Sequence, residues 1–463
     1  MPFEREIGRI LFGLLVGLLV VVGSAAYWAV AGPESLLLRE DNPRRVEFER
    51  AIRRGAIYDA SEMLLAHSVV DRGRFPVRMY LAPAFFGTLG YYSFRYGTGG
   101  VEAFYDGLLS GRDEPDTWER WWREQVLGLP RVGTDVRLTL RWELQDVASE
   151  AVGGRRGVVI ALNAEQGDIL ALVSRPTYDP NELDEQWAVL SQSPENPFFN
   201  RALQGRYQPG SALHLPMVLL AALGNVDLSM PIPQADAPQT VNGVMINCAI
   251  APPTPELTLA DALSHGCPAG VVRLTTILDA SAIGQTLVSF ELEAIPPVDV
   301  GRVLVPEATP AGERSALMLD DVLGQGRLTL NPLAFARFLA AVVSEGAVPP
   351  LRLADAVRPP QAGWQVLPRP RQEISFVTRA AATQGRDWLL ATGSLLGLPN
   401  GMGGYAAVAQ SGEETQVWFA GFVSKGDDQI VVLVILENTA DVREATAVGS
   451  AVLQAYVEAN STP

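Results

Sequence analysis

Lysine is almost missing from this 463-residue chain: Lys425 stands alone, and the rest of the 36 basic residues are arginines. Positive charge as a whole is scarce, with 52 acidic residues giving a formal net charge of -16. A nucleic-acid partner is excluded on that ground, because phosphate binding needs clustered positive charge. Cysteine and histidine are scarcer still. Cys248 and Cys267 are the two cysteines, and His67, His214 and His265 are scattered, which is too little for a zinc site; the sequence indicates no metal and no cofactor. The cysteines can form a disulfide across their 19-residue separation or remain two buried thiols, and both alternatives stay open. Disorder is excluded by a hydrophobic content of 48%, ample for a large core.

What the sequence does have begins at its N-terminus. Arg5 and Arg9 precede a charge-free run of 22 residues, Ile10 to Ala31. As a helix that run crosses roughly 30 Å of hydrocarbon. Ala29, Val30 and Ala31 resemble a small-residue cleavage site, but the apolar run is longer than that of most signal peptides, so an uncleaved anchor is expected. Arginines before the span, against Glu34, Arg39 and Glu40 after it, favour a cytoplasmic segment 1–9, an anchor 10–31 and an extracytoplasmic remainder.

Beyond the anchor, Asn42 to Ala66 is polar and arginine-rich, and Leu81 to Gly100, with its glycines and aromatics, reads as strand and turn. Trp118, Trp121, Trp122 and Val126 fall at helical spacing, which predicts a helix packed by its apolar face. Around Arg137 a short strand leads into a helix that ends near Gly153. Val158–Leu162 and Ile169–Val173 form a hairpin pattern, as do Val417–Val423 and Ile430–Glu437, and Asp441–Ala459 has helical periodicity. An α+β domain with one antiparallel sheet flanked by helices is predicted.

Specific strings sharpen this. Val158 to Ser174 with Pro176, Tyr178, Asp179, Pro180 and Asn181, then Asn200-Arg201-Ala202-Leu203-Gln204-Gly205 leading into Pro209-Gly210-Ser211, resemble the class B penicillin-binding proteins. Arg54-Gly55, Gly324-Gln325-Gly326, Asn331-Pro332-Leu333 and Trp418-Phe419-Ala420-Gly421-Phe422 extend the match, and Tyr91 to Glu102 is similar to short actinobacterial-type members. The resemblance implies the serine β-lactamase/D,D-peptidase fold over 136–463, an elongated non-catalytic pedestal over 32–135, and a role in peptidoglycan cross-linking. In such enzymes a serine is acylated by a stem peptide ending in D-alanine, or by a β-lactam.

The resemblance also assigns site positions, and most are eroded. Ser-x-x-Lys reads Ser211-Ala212-Leu213-His214, keeping the nucleophile position and replacing the lysine base. Ser-x-Asn reads Gly266-Cys267-Pro268, with Ser264-His265-Gly266 as a shifted alternative. Lys-Thr-Gly is placed at Gln410-Ser411-Gly412, followed by Glu413 and Glu414, whose charge would repel a ligand carboxylate, with an oxyanion hole at the N–H groups of Ser211 and Glu413. The Gly324–Gly326 stretch reads as a turn supporting the groove. The expected function is a non-catalytic scaffold of wall synthesis, with a glycosyltransferase as its expected partner and stem-peptide and β-lactam binding weak or lost. The alternatives are an active acyltransferase using Ser211 and His214, and a binding module for amine-bearing wall fragments.

Overall fold

The structure is a computed structural model describing residues 4–30, 43–70, 75–115, 117–298, 319–369, 375–412, 414–426 and 428–460. Ala31, Glu34, Arg39, Glu40 and Glu413 lie outside the described residues. The chain divides into two compact units, one comprising Met1–Arg53, Val69–Val77 and Glu114–Val132, the other the remainder. The expected pedestal, 32–135, is thus distributed over both.

In the first unit, helix α1 (Glu4–Val30) includes Glu6–Trp28, a stretch long and apolar enough to cross a membrane. Helix α2 (Pro43–Ala51) follows. The Arg53 N–H donates to the Arg131 carbonyl at 2.9 Å, tying the end of this segment to a short helix, Trp118–Trp121, and the π-helical turn after it, Trp122–Val126. The tryptophans do not pack inward as their spacing predicted. Trp118 is 72% exposed, Trp121 47% and Trp122 45%, whereas the side chains of Arg120, Glu124 and Arg131 are largely covered and ion-paired, at 3.0 Å for Arg120–Glu124 and 2.8 Å for Arg131–Glu124. The reason is that Glu124 gathers two guanidinium groups, and this charge cluster takes the sheltered side of the segment.

The second unit is built on a five-stranded antiparallel sheet. Its strands are β1 (Gly157–Asn163), β2 (Ile169–Arg175), β3 (Met402–Ser411), β4 (Glu414–Lys425) and β5 (Asp428–Glu437), in the order β3-β4-β5-β1-β2. Both faces are covered, so β1 and β5 read as nearly unbroken apolar runs. Val159 and Ala161 join one core with Val432, Val434 and residues of helices α3 (Trp142–Val152) and α9 (Val442–Ala459). Val158, Ile160 and Leu162 join the other, with α4 (His214–Leu223), α7 (Pro332–Val343) and α8 (Arg379–Leu395). Between α4 and α7 lie α5 (Leu259–Ser264), capped by the Thr258 hydroxyl, and α6 (Pro268–Ile277), opened by Pro268. Gly153 ends α3 with a positive φ of 60°, as its position in the sequence suggested, and Asp441 caps α9.

One buried cluster lies apart from the sheet. Glu102, with no exposed surface, accepts from Arg54 at 2.7 Å and from Arg78 at 2.6 Å, and Arg54 also reaches Asp106 at 2.6 Å. Burial works to raise the Glu102 pKa, but the charges and hydrogen bonds of Arg78 and Arg54 prevail and hold it below the usual carboxylate range.

Candidate active site

Strand β3 is an edge strand, and its free edge faces the turn that carries Ser211. This turn, Gly210–Leu213, is a single 3-10 segment leading into α4. Gly210 has a φ of 50°, and a Cβ there would fall 2.2 Å from the Val408 carbonyl, so only glycine lets the turn approach the strand this closely. From behind, the Gly324 carbonyl accepts the Gly210 N–H at 3.0 Å, so the Gly324–Gly326 turn backs the serine turn.

The Ser211 hydroxyl is engaged on both sides by one residue. It accepts from the Val408 N–H at 2.9 Å and donates to the Val408 carbonyl at 3.2 Å. Among the described residues no hydrogen bond links it to His214. Burial and the strand edge, not a base, define its surroundings.

His214 lies one residue after the serine turn, where a 3-10 spacing of three brings side chains onto one face. Its ring nevertheless turns to α5. Nδ1 is 2.9 Å from the Leu263 carbonyl, and since a carbonyl only accepts, Nδ1 carries the hydrogen and Nε2 keeps the lone pair. Burial lowers the His214 pKa to about 4, against a smaller raising effect of the Leu263 bond. A base that weak gives little driving force for taking a proton from a serine hydroxyl at neutral pH. The same shift has a consequence for stability. The unfolded chain takes up a proton as pH falls through 6.5, while the folded one resists until about 4, so folding weakens over that window by about 3 kcal/mol. Denaturation at pH 7 and pH 4.5 should reveal this slope, and His214→Gln should flatten it.

The second-motif register places Gly266 against the serine: a Cβ on Gly266 would come 3.4 Å from Ser211 Oγ. It would also come 2.6 Å from the Ala249 Cβ. Ala249 is held there by a disulfide between Cys248 and Cys267, and by the Ile250 N–H donating to the His265 carbonyl at 2.9 Å. Pro268 is buried at the start of α6 and offers no amide. The shifted alternative fails on geometry, because the Ser264 hydroxyl bonds Thr392 of α8 at 2.9 Å and His265 Nδ1 turns back to the Asp261 carbonyl at 2.8 Å.

The third-motif assignment needs correcting. Gln410 and Ser411 pair with Thr415 and Glu414 at the end of the β3–β4 hairpin, and Gly412 is the glycine of its turn, with φ of 64°. Ser411 and Glu414 line an open cavity of about 560 Å³ shared with Arg206, Tyr207 and Glu437. The strand residues alongside Ser211 lie upstream, at Tyr405 to Ala409. Tyr405 is buried and donates its hydroxyl to the Ala212 carbonyl at 2.6 Å, Ala406 and Ala407 follow, and the strand N–H nearest the serine belongs to Val408. The repulsive acid at 414 therefore drops out as a neighbour of Ser211. Glu414 is at the hairpin tip, and Glu413 is not described.

Residues 157–457 match the family model of the penicillin binding protein transpeptidase domain, and residues 54–136 that of the penicillin binding protein A dimerisation domain. The chain belongs to the class B penicillin-binding proteins. Among curated class B relatives, the peptidoglycan D,D-transpeptidase PbpA of Mycolicibacterium smegmatis is 26% identical over 96% of each chain, and PbpA of Mycobacterium tuberculosis is 26% identical over 98% of each. The imipenem acyl-enzyme complex of penicillin-binding protein A from M. tuberculosis superimposes with a TM-score of 0.76 at 25% identity, covering 88% of this chain and 99% of that one. Around Ser211 this class B member has His214, Gly266, Pro268 and the run Tyr405-Ala406-Ala407, with no lysine and no amide among them.

Proposed function

We propose that this chain is an extracytoplasmic, α1-anchored member of the peptidoglycan machinery that has lost serine acyl transfer and acts as a scaffold or partner, for example of a wall glycosyltransferase. The observation that carries this is the state of Ser211. Its hydroxyl is held at both ends by the Val408 backbone, and the side chain three residues on is a buried histidine committed to Leu263. The Val408 N–H that would stabilise an acyl oxyanion is bonded to the nucleophile itself.

Ligand capture is weakened by the same substitutions. Tyr405, engaged with Ala212, stands on the strand beside the serine where the family resemblance calls for a lysine. A hydrogen bond to a charged group contributes about 1.5–3 kcal/mol, so its loss weakens carboxylate-bearing stem peptides and β-lactams by roughly ten- to a hundredfold. The competing reading is a slow acyltransferase using Ser211 with His214 as an altered base. Release of D-alanine from a pentapeptide substrate across pH 5 to 8 separates the two. None above the Ser211→Ala background is expected, and Ser211-dependent release would establish the enzyme instead.

A further inference from the structure

The aromatic face left open in the first unit asks for an occupant. Trp118, Trp121, Trp122, Val126, Leu127 and Leu129 are all between 42% and 72% exposed, and Trp118 stacks on Trp121 with ring centroids 4.8 Å apart. The polarity is the reverse of a soluble surface helix. The Arg120–Glu124–Arg131 cluster takes the covered side and the tryptophans the open one. An apolar patch this concentrated marks an interaction surface, and tryptophan is the side chain enriched at the headgroup level of a bilayer, where its ring is apolar and its N–H stays wet.

Chain connectivity identifies that bilayer. The segment is fastened at its C-terminal end to the residues that follow the anchor: Arg53 bonds the Arg131 carbonyl, Arg53 pairs with Val132, and the Arg131 guanidinium lies over Phe48 at 5.2 Å. Residues 31–42 separate α1 from α2, a length that spans at most about 40 Å even fully extended. That length lets the patch reach the surface of the membrane that α1 enters. Its charges nearly balance, with Glu114, Glu119 and Glu124 against Arg120, Arg123 and Arg131 among the described residues, so no attraction to anionic lipid is needed.

We propose that Trp118, Trp121 and Trp122 form an interfacial foot that seats the first unit in the headgroup layer of the membrane, with zwitterionic lipid as its ligand. This rests on α1 crossing that membrane, and the test reads the two separately. The full chain is reconstituted into phosphatidylcholine vesicles carrying a nitroxide high on the acyl chain, and tryptophan emission is measured. Quenching of Trp28, seen as the difference between the wild-type and Trp28→Phe chains, reports insertion of α1. In the Trp28→Phe chain a quenchable component should remain, and it should be lost when Trp118, Trp121 and Trp122 are also changed to phenylalanine, with the thermal midpoint unchanged because all three side chains are exposed. Quenching of Trp28 with no further quenchable component, or a component that survives the triple substitution, overturns the foot and points to a protein partner for this face.

Discussion

Replacing Glu102 with alanine is expected to destabilise the second unit by about 3–5 kcal/mol, the range for removing one partner of a buried ion pair. The size follows from what is left behind. Arg54 and Arg78 are both buried and both direct guanidinium nitrogens at this one carboxylate, which also accepts at 3.3 Å from the Tyr80 hydroxyl. Arg54 retains Asp106, but among the described residues the one hydrogen-bond acceptor left to Arg78 is the Gly55 carbonyl at 2.8 Å, neutral against a desolvated charge. Glu102→Gln keeps the shape and removes the charge, so it should recover only part of the loss. Acid should mimic the substitution. Glu102 has a depressed folded pKa, so its contribution is complete above the ordinary value of 4.5 and is lost as pH falls through the folded value. Urea midpoints of the wild type, Glu102→Ala and Glu102→Gln at pH 7, and of the wild type down to pH 3, check both statements. A Glu102→Ala midpoint within error of wild type would remove the cluster from the list of elements that hold this unit together.

The second large effect is expected from the disulfide. Closing a loop with a sequence separation of 19 restricts the unfolded chain by about 3 kcal/mol in the chain-entropy description, so Cys248→Ser with Cys267→Ser should lower stability by that amount. The consequence reaches the site. Ala249 occupies the space a side chain at Gly266 would need, and the bond next to it keeps it there. Cutting the bond should raise protease susceptibility around residues 247–251 and, on the reading proposed for Ser211, should not confer acylation, because neither a lysine nor an amide is restored. Reactivity gained on reduction would mean that the strap, and not the missing side chains, silences the serine.

Much of the fold was legible because its central strands are buried on both faces. The two hairpins announced themselves as paired apolar runs, and the C-terminal helix by its period. Strand β3 was not legible. It consists largely of Gly403, Gly404, Ala406, Ala407 and Ala409, which show no alternation, and they are small for a packing reason: a Cβ on Gly403 would come 2.3 Å from the Phe422 ring. The one glycine that stands out just before the Trp418 strand is Gly412, and it belongs to the turn. Pairing of Ser411 with Glu414 moves the relevant residues to Tyr405–Ala409. The Ser211 and Gly266 positions were readable from local strings, and the structure brings them together. What His214 does was not, because its acceptor, the Leu263 carbonyl, is 49 positions away in sequence. The tryptophan segment failed for another reason: periodicity identifies an apolar face but not which side of it is water, lipid or protein.

The central claim is that Ser211 has been kept as a structural hydroxyl and no longer acts as a nucleophile. Labelling of the full chain with a fluorescent penicillin, alongside Ser211→Ala, tests it most directly. The account predicts no covalent signal above that of Ser211→Ala at drug concentrations that saturate active penicillin-binding proteins. A denaturation-resistant signal that disappears in Ser211→Ala would contradict it.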